Sequence, residues 1–486
     1  LADALANAGR GPEAAEQYLA ASEGAEPRES IDLQRKAAFQ YYMSGHLDEG
    51  QAILRGVLGR VGMALPRTRS GGLASLIAHR LQLRLRGLGY RERRAEDVPE
   101  SLLAKIDVSW SVAAGLATKD PIIAPAFQSR NLLLALRAGE PLRLVRALAW
   151  EAAHDANGGI ATRARTLALH DAAKDVAQRC DEPYVRGFIE LSGSVLAFHA
   201  HRWKEGAARG DRAATIFREQ CTGASWELGQ ANTFLLWCMS WMGEYAAMSR
   251  RAALILEEAE KKGDLFTGAN LGGYIQPLGL VARGEADEPL HMIARNVSPW
   301  SRSFYHVQHF TALMASTPVR LYRGEPHVAY RDQIEHEPAI RSNMILHVQL
   351  CRIVAAEMRA RAALALAGAS PAADRPRLLG DVARQARRLE HEAVPLAQAF
   401  ARLARAGLSA FRGDSDAAID ALGSVATAFD SLDMGHYAAA ARWRLGELVA
   451  GDEGRSIVEH AGAWMTGREI KEPARMADAL VPRMVV

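Results

Sequence analysis

Cysteine, lysine and long apolar runs are all scarce in this chain of 486 residues, and each scarcity removes a class of protein. The four cysteines, Cys180, Cys221, Cys238 and Cys351, include no C-x-x-C pair and build no dense framework. That spacing argues against a thiolate zinc site and for a reducing compartment. No run of 18 apolar residues occurs, and the N-terminal LADALANAGRG lacks a charged start followed by an apolar core. Neither a membrane span nor a secretory signal is expected, so the chain reads as cytoplasmic with no membrane partner. It begins with Leu1 rather than Met, which suggests a processed product or an excised piece of something longer. Only eight of the 59 basic residues are lysine, a bias that genome composition explains first. Against 56 acidic residues they leave a net charge of +3, too small to imply a nucleic-acid partner.

Catalytic signatures are missing too. There is no G-x-x-x-x-G-K-[ST], no Gly-Lys pair and no G-x-G-x-x-G, so no phosphate cradle is encoded. H-R-D, D-F-G, V-A-I-K and G-x-S-x-G are likewise absent. His391-Glu392 opens LEHEAVP, but Pro395 stands where the second histidine of H-E-x-x-H belongs. These residues are therefore expected to hold no catalytic centre, no cofactor and no metal.

What is present is helical periodicity, with hydrophobic residues at 49% and charged residues at 24%. From Phe400 to Phe429, Phe400, Leu403, Ala404, Leu408 and Phe411 fall on one stripe of a helix, and Ile419, Leu422, Val425, Ala426 and Phe429 on a second. Gly413 separates them, followed by capping residues among Asp414, Ser415 and Asp416. Two smaller copies open the chain, with turns at Gly9 and Gly45, 36 residues apart. They resemble tetratricopeptide repeats without meeting the full signature. Later turns are expected at Gly139, His201, Gly243, Gly284, Gly324, Gly368 and Gly413, the last five intervals being 42, 41, 40, 44 and 45 residues. The 62 residues from Gly139 to His201 break that rhythm, and Gly158 and Gly159 suggest an irregular or lost hairpin. Strand signals are nearly absent. The pattern predicts an all-α superhelical solenoid of stacked antiparallel hairpins with periods near 36 and 40–45. Its expected parts are N-terminal hairpins (1–65), a basic connecting helix (66–100), longer repeats (101–450) and C-terminal capping helices (451–486).

In the connecting segment Leu73, Leu76, Ile77, Leu81, Leu85 and Leu88 make an apolar stripe studded with Arg80, Arg84, Arg86, Arg91, Arg93 and Arg94. A solvated face between two repeat groups explains it; an acidic partner or anionic lipid is the alternative. His306 and His309 in SFYHVQHF, three apart, would share one helix face within reach of a metal. A third ligand is not assigned by spacing, with His291, His199 and His201 as the available candidates. Aromatic residues are densest from Trp226 through Trp237, Trp241, Tyr245, Tyr274, Trp300, Phe304, Tyr305 and Tyr322. Core packing accounts for most of them. If a partner groove exists, its residues are expected among Trp226, Trp241, Tyr274, Phe304, Tyr305, His306, His309 and Tyr322.

Several stretches resemble the long C-terminal region of large bacterial serine/threonine protein kinases, in which kinase and predicted ATPase domains precede tetratricopeptide-like repeats. They are LADALANAGRGPEAAEQYLAASEGA, IDVSWSVAAGLATKDPIIAPAFQSRNLLLALRAGEP, IFREQCTGASWELGQANTFLLWCMSWMGE and FYHVQHF. The terminal AWMTGREIKEPARMADALVP, with Trp464, Met465, Pro473, Arg475, Met476 and Pro482 in order, is similar as well. The resemblance covers nearly the whole chain. It implies a non-catalytic sensor or scaffold arm that binds a protein or peptide partner, or the upstream kinase and ATPase domains in cis. Two alternatives are carried. One is the repeat arm of a transcription regulator, with residues 454–480 forming a helix pair about Gly467; the other is a freestanding enzyme with an unrecognised pocket.

Overall fold

Gly413, at φ +81°, ends the helix Pro395–Phe411 and starts the helix Ser415–Ser431. A side chain there would be strained in the left-handed region, so glycine makes the turn cheap. Asp414 then accepts the Ala417 N–H at 3.2 Å and caps the second helix. Across the turn the Phe400 and Phe429 rings lie 5.3 Å apart, and Tyr437 of the next hairpin sits 5.2 Å from one and 5.1 Å from the other. One hairpin thus completes the core of its neighbour, as an array of repeats requires.

The computed structural model describes residues 1–66, 68–117, 120, 122–299 and 305–484. Among the described residues helices dominate and no strand occurs. Two N-terminal pairs come first: Ala2–Asn7 with Gly11–Ser22, and Pro27–Met43 with Leu47–Arg60. After the helix Arg69–Arg86 the pairs resume with Glu100–Gly115 and Ile123–Ala138, and they continue to Gly435–Val449 and Gly451–Gly467. The short helix Pro473–Leu480 follows. For most helices the main neighbour is the one before or after it in the chain, so the all-α solenoid is the architecture of this chain.

Three details depart from the sequence reading. No hairpin is irregular or lost between Gly139 and His201: the pair Pro141–Ala156 and Arg163–Ala177 turns at Gly159, φ +64°. Gly139 is instead a turn between hairpins, and the step from Gly159 to His201 is 42 residues, the regular period. Gly368 is no turn either. It lies inside the helix Gln349–Ala369, which runs one or two residues longer than the spacing implied. On the helix Arg69–Arg86 the apolar stripe faces outward, with Leu73, Ile77, Leu81 and Leu85 at 40, 59, 54 and 81% exposure, while Leu83 is buried. The reason is that this helix packs chiefly on one neighbour, Ile123–Ala138, so among the described residues the outer stripe is left largely uncovered.

The array also closes on itself. Gln349 donates its backbone N–H to the Asn157 carbonyl at 2.9 Å, and its side-chain oxygen accepts the Ile160 N–H at 3.0 Å. Residues 192 and 189 positions apart are thereby joined. The C-terminal segment folds back as well: the Lys471 N–H reaches the Ala282 carbonyl at 2.9 Å, and Arg361 donates to the Ala479 carbonyl at 3.1 Å. The helix Pro473–Leu480 fills the space between Val307–Tyr322 and Gly435–Val449, burying Met476 and Leu480. Arg361 and Glu357, both 7% exposed, form the ion pair beneath it at 3.0 Å.

Two outcomes follow from this packing. Leu422, fully buried, is a nearest-neighbour contact, so Leu422→Asp is expected to open residues 380–450 to limited proteolysis while the N-terminal pairs stay protected. Unchanged cleavage across that span would contradict the register. Arg361→Ala strands Glu357 as a buried, unpaired charge and should lower stability by about 3–5 kcal/mol in chemical denaturation, whereas joint Arg361→Met and Glu357→Leu should recover most of it.

Candidate functional site

Inside the closed array lies a hollow of about 520 Å³. Its walls come from helices far apart in sequence. Trp150 and His154 project from the helix Pro141–Ala156, Phe198 and His199 from Pro183–His199, and Gln230, Phe234, Trp237 and Trp241 from Ser225–Met242. Positions 230, 234, 237 and 241 are spaced three and four apart, which puts all four on one face of that helix. The far wall is Tyr305, His306, Phe310 and Met314, with Cys351 and Val354 from Gln349–Ala369. The outward stripe of Arg69–Arg86 forms one lip, through Leu73, Leu76 and Ile77. A hollow of this size, mostly apolar with few polar groups, has the form of a small-molecule site.

Tyr274 enters the wall from an unusual element. Residues Gly268–Ile275 form a π-helix, buried from Ala269 to Ile275. Pro277 has no N–H to offer the Gly273 carbonyl, and Gly272 sits so close to Asn296 that a Cβ would come within 2.5 Å of its Cγ. The wider turn places the Tyr274 hydroxyl 3.3 Å from Ser240 Oγ and its ring 6.4 Å from Trp237. Phe198 bridges Phe234 and Trp237, both 5.5 Å away, so the aromatic wall is continuous.

Burial sets the charge state of this wall. It pushes the imidazoles of His154 and His199 down to about 3, with Arg80 and His201 as the respective secondary causes. It pushes the Cys351 thiol and the Tyr274 hydroxyl up to about 12. All four are uncharged at neutral pH. His199 and Cys351 lie deep in the protein yet keep accessible surface, and that surface is the hollow. Full charges on the wall are Arg80 and Asp155, 3.9 Å apart; Asp155 is also held by Arg165 at 2.6 Å. Arg165 reaches Glu151 at 3.0 Å in turn, and burial raises that carboxyl. The charges at this edge therefore compensate one another.

A second, more polar pocket of about 430 Å³ lies between the N-terminal pairs and the helices that follow. Trp226 belongs there, with its ring 5.4 Å from Trp110 and 5.0 Å from Trp150. The Arg146 guanidinium stacks 4.6 Å from the Trp110 centroid, and Tyr184 donates to Glu227 at 2.7 Å. Gln230 lines both pockets.

The residues singled out from sequence scatter accordingly. Trp241, Tyr274, Tyr305 and His306 meet at the hollow, while Trp226 faces the polar pocket. Tyr322 is buried elsewhere, under the Arg475 guanidinium at 4.9 Å. Phe304 and Trp300 lie outside the described residues. His306 and His309 do not share a helix face: the helix starts at Val307, His306 is its N-cap, and His309 Nδ1 accepts the His306 N–H at 3.0 Å. Their rings stack 5.9 Å apart as part of this cap. Among the described residues no three His, Cys, Asp or Glu side chains gather as a metal-binding group. Residues 454–480, read as a possible DNA-binding pair, end in the helix Pro473–Leu480, which is packed between two others. Sequence reasoning missed His154, Gln230 and Cys351 as wall residues, and named His199 only as a candidate third metal ligand. Each is a single polar residue on an apolar helix face, a pattern visible in the sequence but shared with ordinary core positions.

The histidines carry a pH signature with a definite sign. His154, His199 and His436 stay neutral when folded down to about pH 3, whereas an unfolded imidazole takes up its proton near pH 6.5. Their contribution to stability is whole above pH 6.5 and is lost as pH falls toward 3, by up to about 1.4 kcal/mol per pH unit for each. The melting temperature is expected to fall steadily from pH 7 to pH 4, and His436→Gln should flatten that slope. A melting temperature constant between pH 7 and pH 5 would contradict the buried, neutral imidazoles.

Compared with models of known protein families and with curated proteins, the chain matches none.

Proposed function

We propose that these residues form a non-catalytic interaction and regulatory superhelix, the sensor or scaffold arm of a bacterial serine/threonine kinase–ATPase signalling protein. The observation that carries the reading is the hollow itself. It is walled by segments from residue 73 to residue 354 and lies against the seam where Gln349 meets residues 157–160. An occupant would touch both sides of that seam at once and favour the closed array over an open one. Such differential contact with two states is what a regulatory arm needs in order to bias domains attached to it. The kinase and ATPase part of the reading rests on the sequence resemblance alone, and the cytoplasmic location on the lack of any described helix long and apolar enough to cross a membrane.

The test is the intact mass of the endogenous polypeptide carrying this sequence, immunoprecipitated from its native cell. The expected result is a chain much longer than 486 residues, with kinase and ATPase peptides upstream of Leu1. A mass equal to that of the 486 residues alone would sink regulation in cis.

A further inference from the structure

The chemistry of the hollow narrows what it holds. Size comes first. At about 520 Å³ the hollow falls in the range of small-molecule sites, and a drug-sized molecule fits it. Charge comes second. His154, His199, Cys351 and Tyr274 are neutral, and Arg80 and Asp155 answer each other, so the wall offers an ionic ligand no uncompensated counter-charge. Burying an unpaired ion there would cost several kcal/mol.

The third observation is a polar group left waiting. Gln230 lies on the face that carries Phe234, Trp237 and Trp241 and opens on the hollow, and its carboxamide makes no hydrogen bond among the described residues. The wall atoms that are buried without a hydrogen-bond partner are the indole N–H groups of Trp150 and Trp237 and Nε2 of His154, at a cost of about 1–3 kcal/mol for a group left so. His199, at the end of the adjoining helix, likewise makes no hydrogen bond among the described residues and presents its ring to the same space. A carboxamide both donates and accepts, which suits an alcohol, a carbonyl or an amide.

We propose that the hollow binds one uncharged, largely apolar small molecule carrying a hydroxyl, carbonyl or amide group, and that Gln230 recognises that group. This rests on the reading of the chain as a sensor arm and names the class of effector it senses. Trp150, Trp237 and Trp241 supply the aromatic walls for the apolar body, and Gln230 supplies its orientation.

The experiment titrates the whole 486-residue chain with three probes that share one body: 1-pyrenebutanol, 1-pyrenebutyrate and 1-butylpyrene. Energy transfer from tryptophan to pyrene reads occupancy. The expected result is saturable one-to-one binding, with the alcohol at least tenfold tighter than the carboxylate. Gln230→Leu should weaken the alcohol at least fivefold and leave 1-butylpyrene unchanged. Ala153→Trp, or Val195→Phe where the first does not fold by circular dichroism, should abolish transfer to all three by filling the hollow. No saturable transfer, equal or tighter binding of the carboxylate, or an alcohol affinity indifferent to Gln230→Leu would each overturn the proposal. A long endogenous polypeptide with kinase domains that binds none of the probes would overturn this inference and spare the sensor reading.

Discussion

The hollow of this molecule is bordered on one side by a single seam. Gln349 joins the edge of the helix Gln349–Ala369 to the turn at residues 157–160, using its backbone N–H and its side-chain oxygen on one side. Its side-chain amide donates to Glu392, at 3.2 Å to the carbonyl and 3.1 Å to the carboxylate. Gly159 makes the approach possible, because a Cβ there would fall 1.7 Å from the Gln349 oxygen and its φ of +64° lies in the left-handed region. Without the seam the helical pairs would still stack on one another, since each buries its face against the next.

Enclosure explains the electrostatics. Burial is the largest cause of every strong histidine shift on the hollow wall, with neighbouring charges second. The charged groups at one edge of the wall balance: Arg80 and Arg165 pair with the buried carboxylates of Asp155 and Glu151. Elsewhere the same low-dielectric interior is stabilised by pairing: Arg444, 1% exposed, donates to the Val481 carbonyl at 2.7 Å and to Glu447 at 2.6 Å. The contact with Val481 ties the returning C-terminal segment to the array.

Much of the fold was legible because its signals are local. The stripes of Phe400–Phe411 and Ile419–Phe429, the turn at Gly413 and the cap at Asp414 each depend on residues within one or two helical turns. The site was legible only in part. Trp241, Tyr274, Tyr305 and His306 stood out as members of an aromatic-rich region, and they do converge. Trp226 and Tyr322 stood out equally and lie elsewhere, because aromatic density does not say which way a ring points. His306 and His309 do meet, but through a cap and not along a helix face, because the helix begins one residue after His306.

The sequence by itself determined the helices, their pairing and the repeat length, since a period of 3.6 apolar residues and a glycine turn every 40 or so positions leave few other ways to bury that surface. Only the tertiary structure decided that the array closes, that the stripe on Arg69–Arg86 becomes a lip instead of a core face, and that Gln230 and His199 look into a shared space. The physical reason is that small rotations between successive pairs accumulate along the array. Where they bring residue 349 against residue 157 depends on the sum of many packing contacts, and no single stretch of sequence contains that sum.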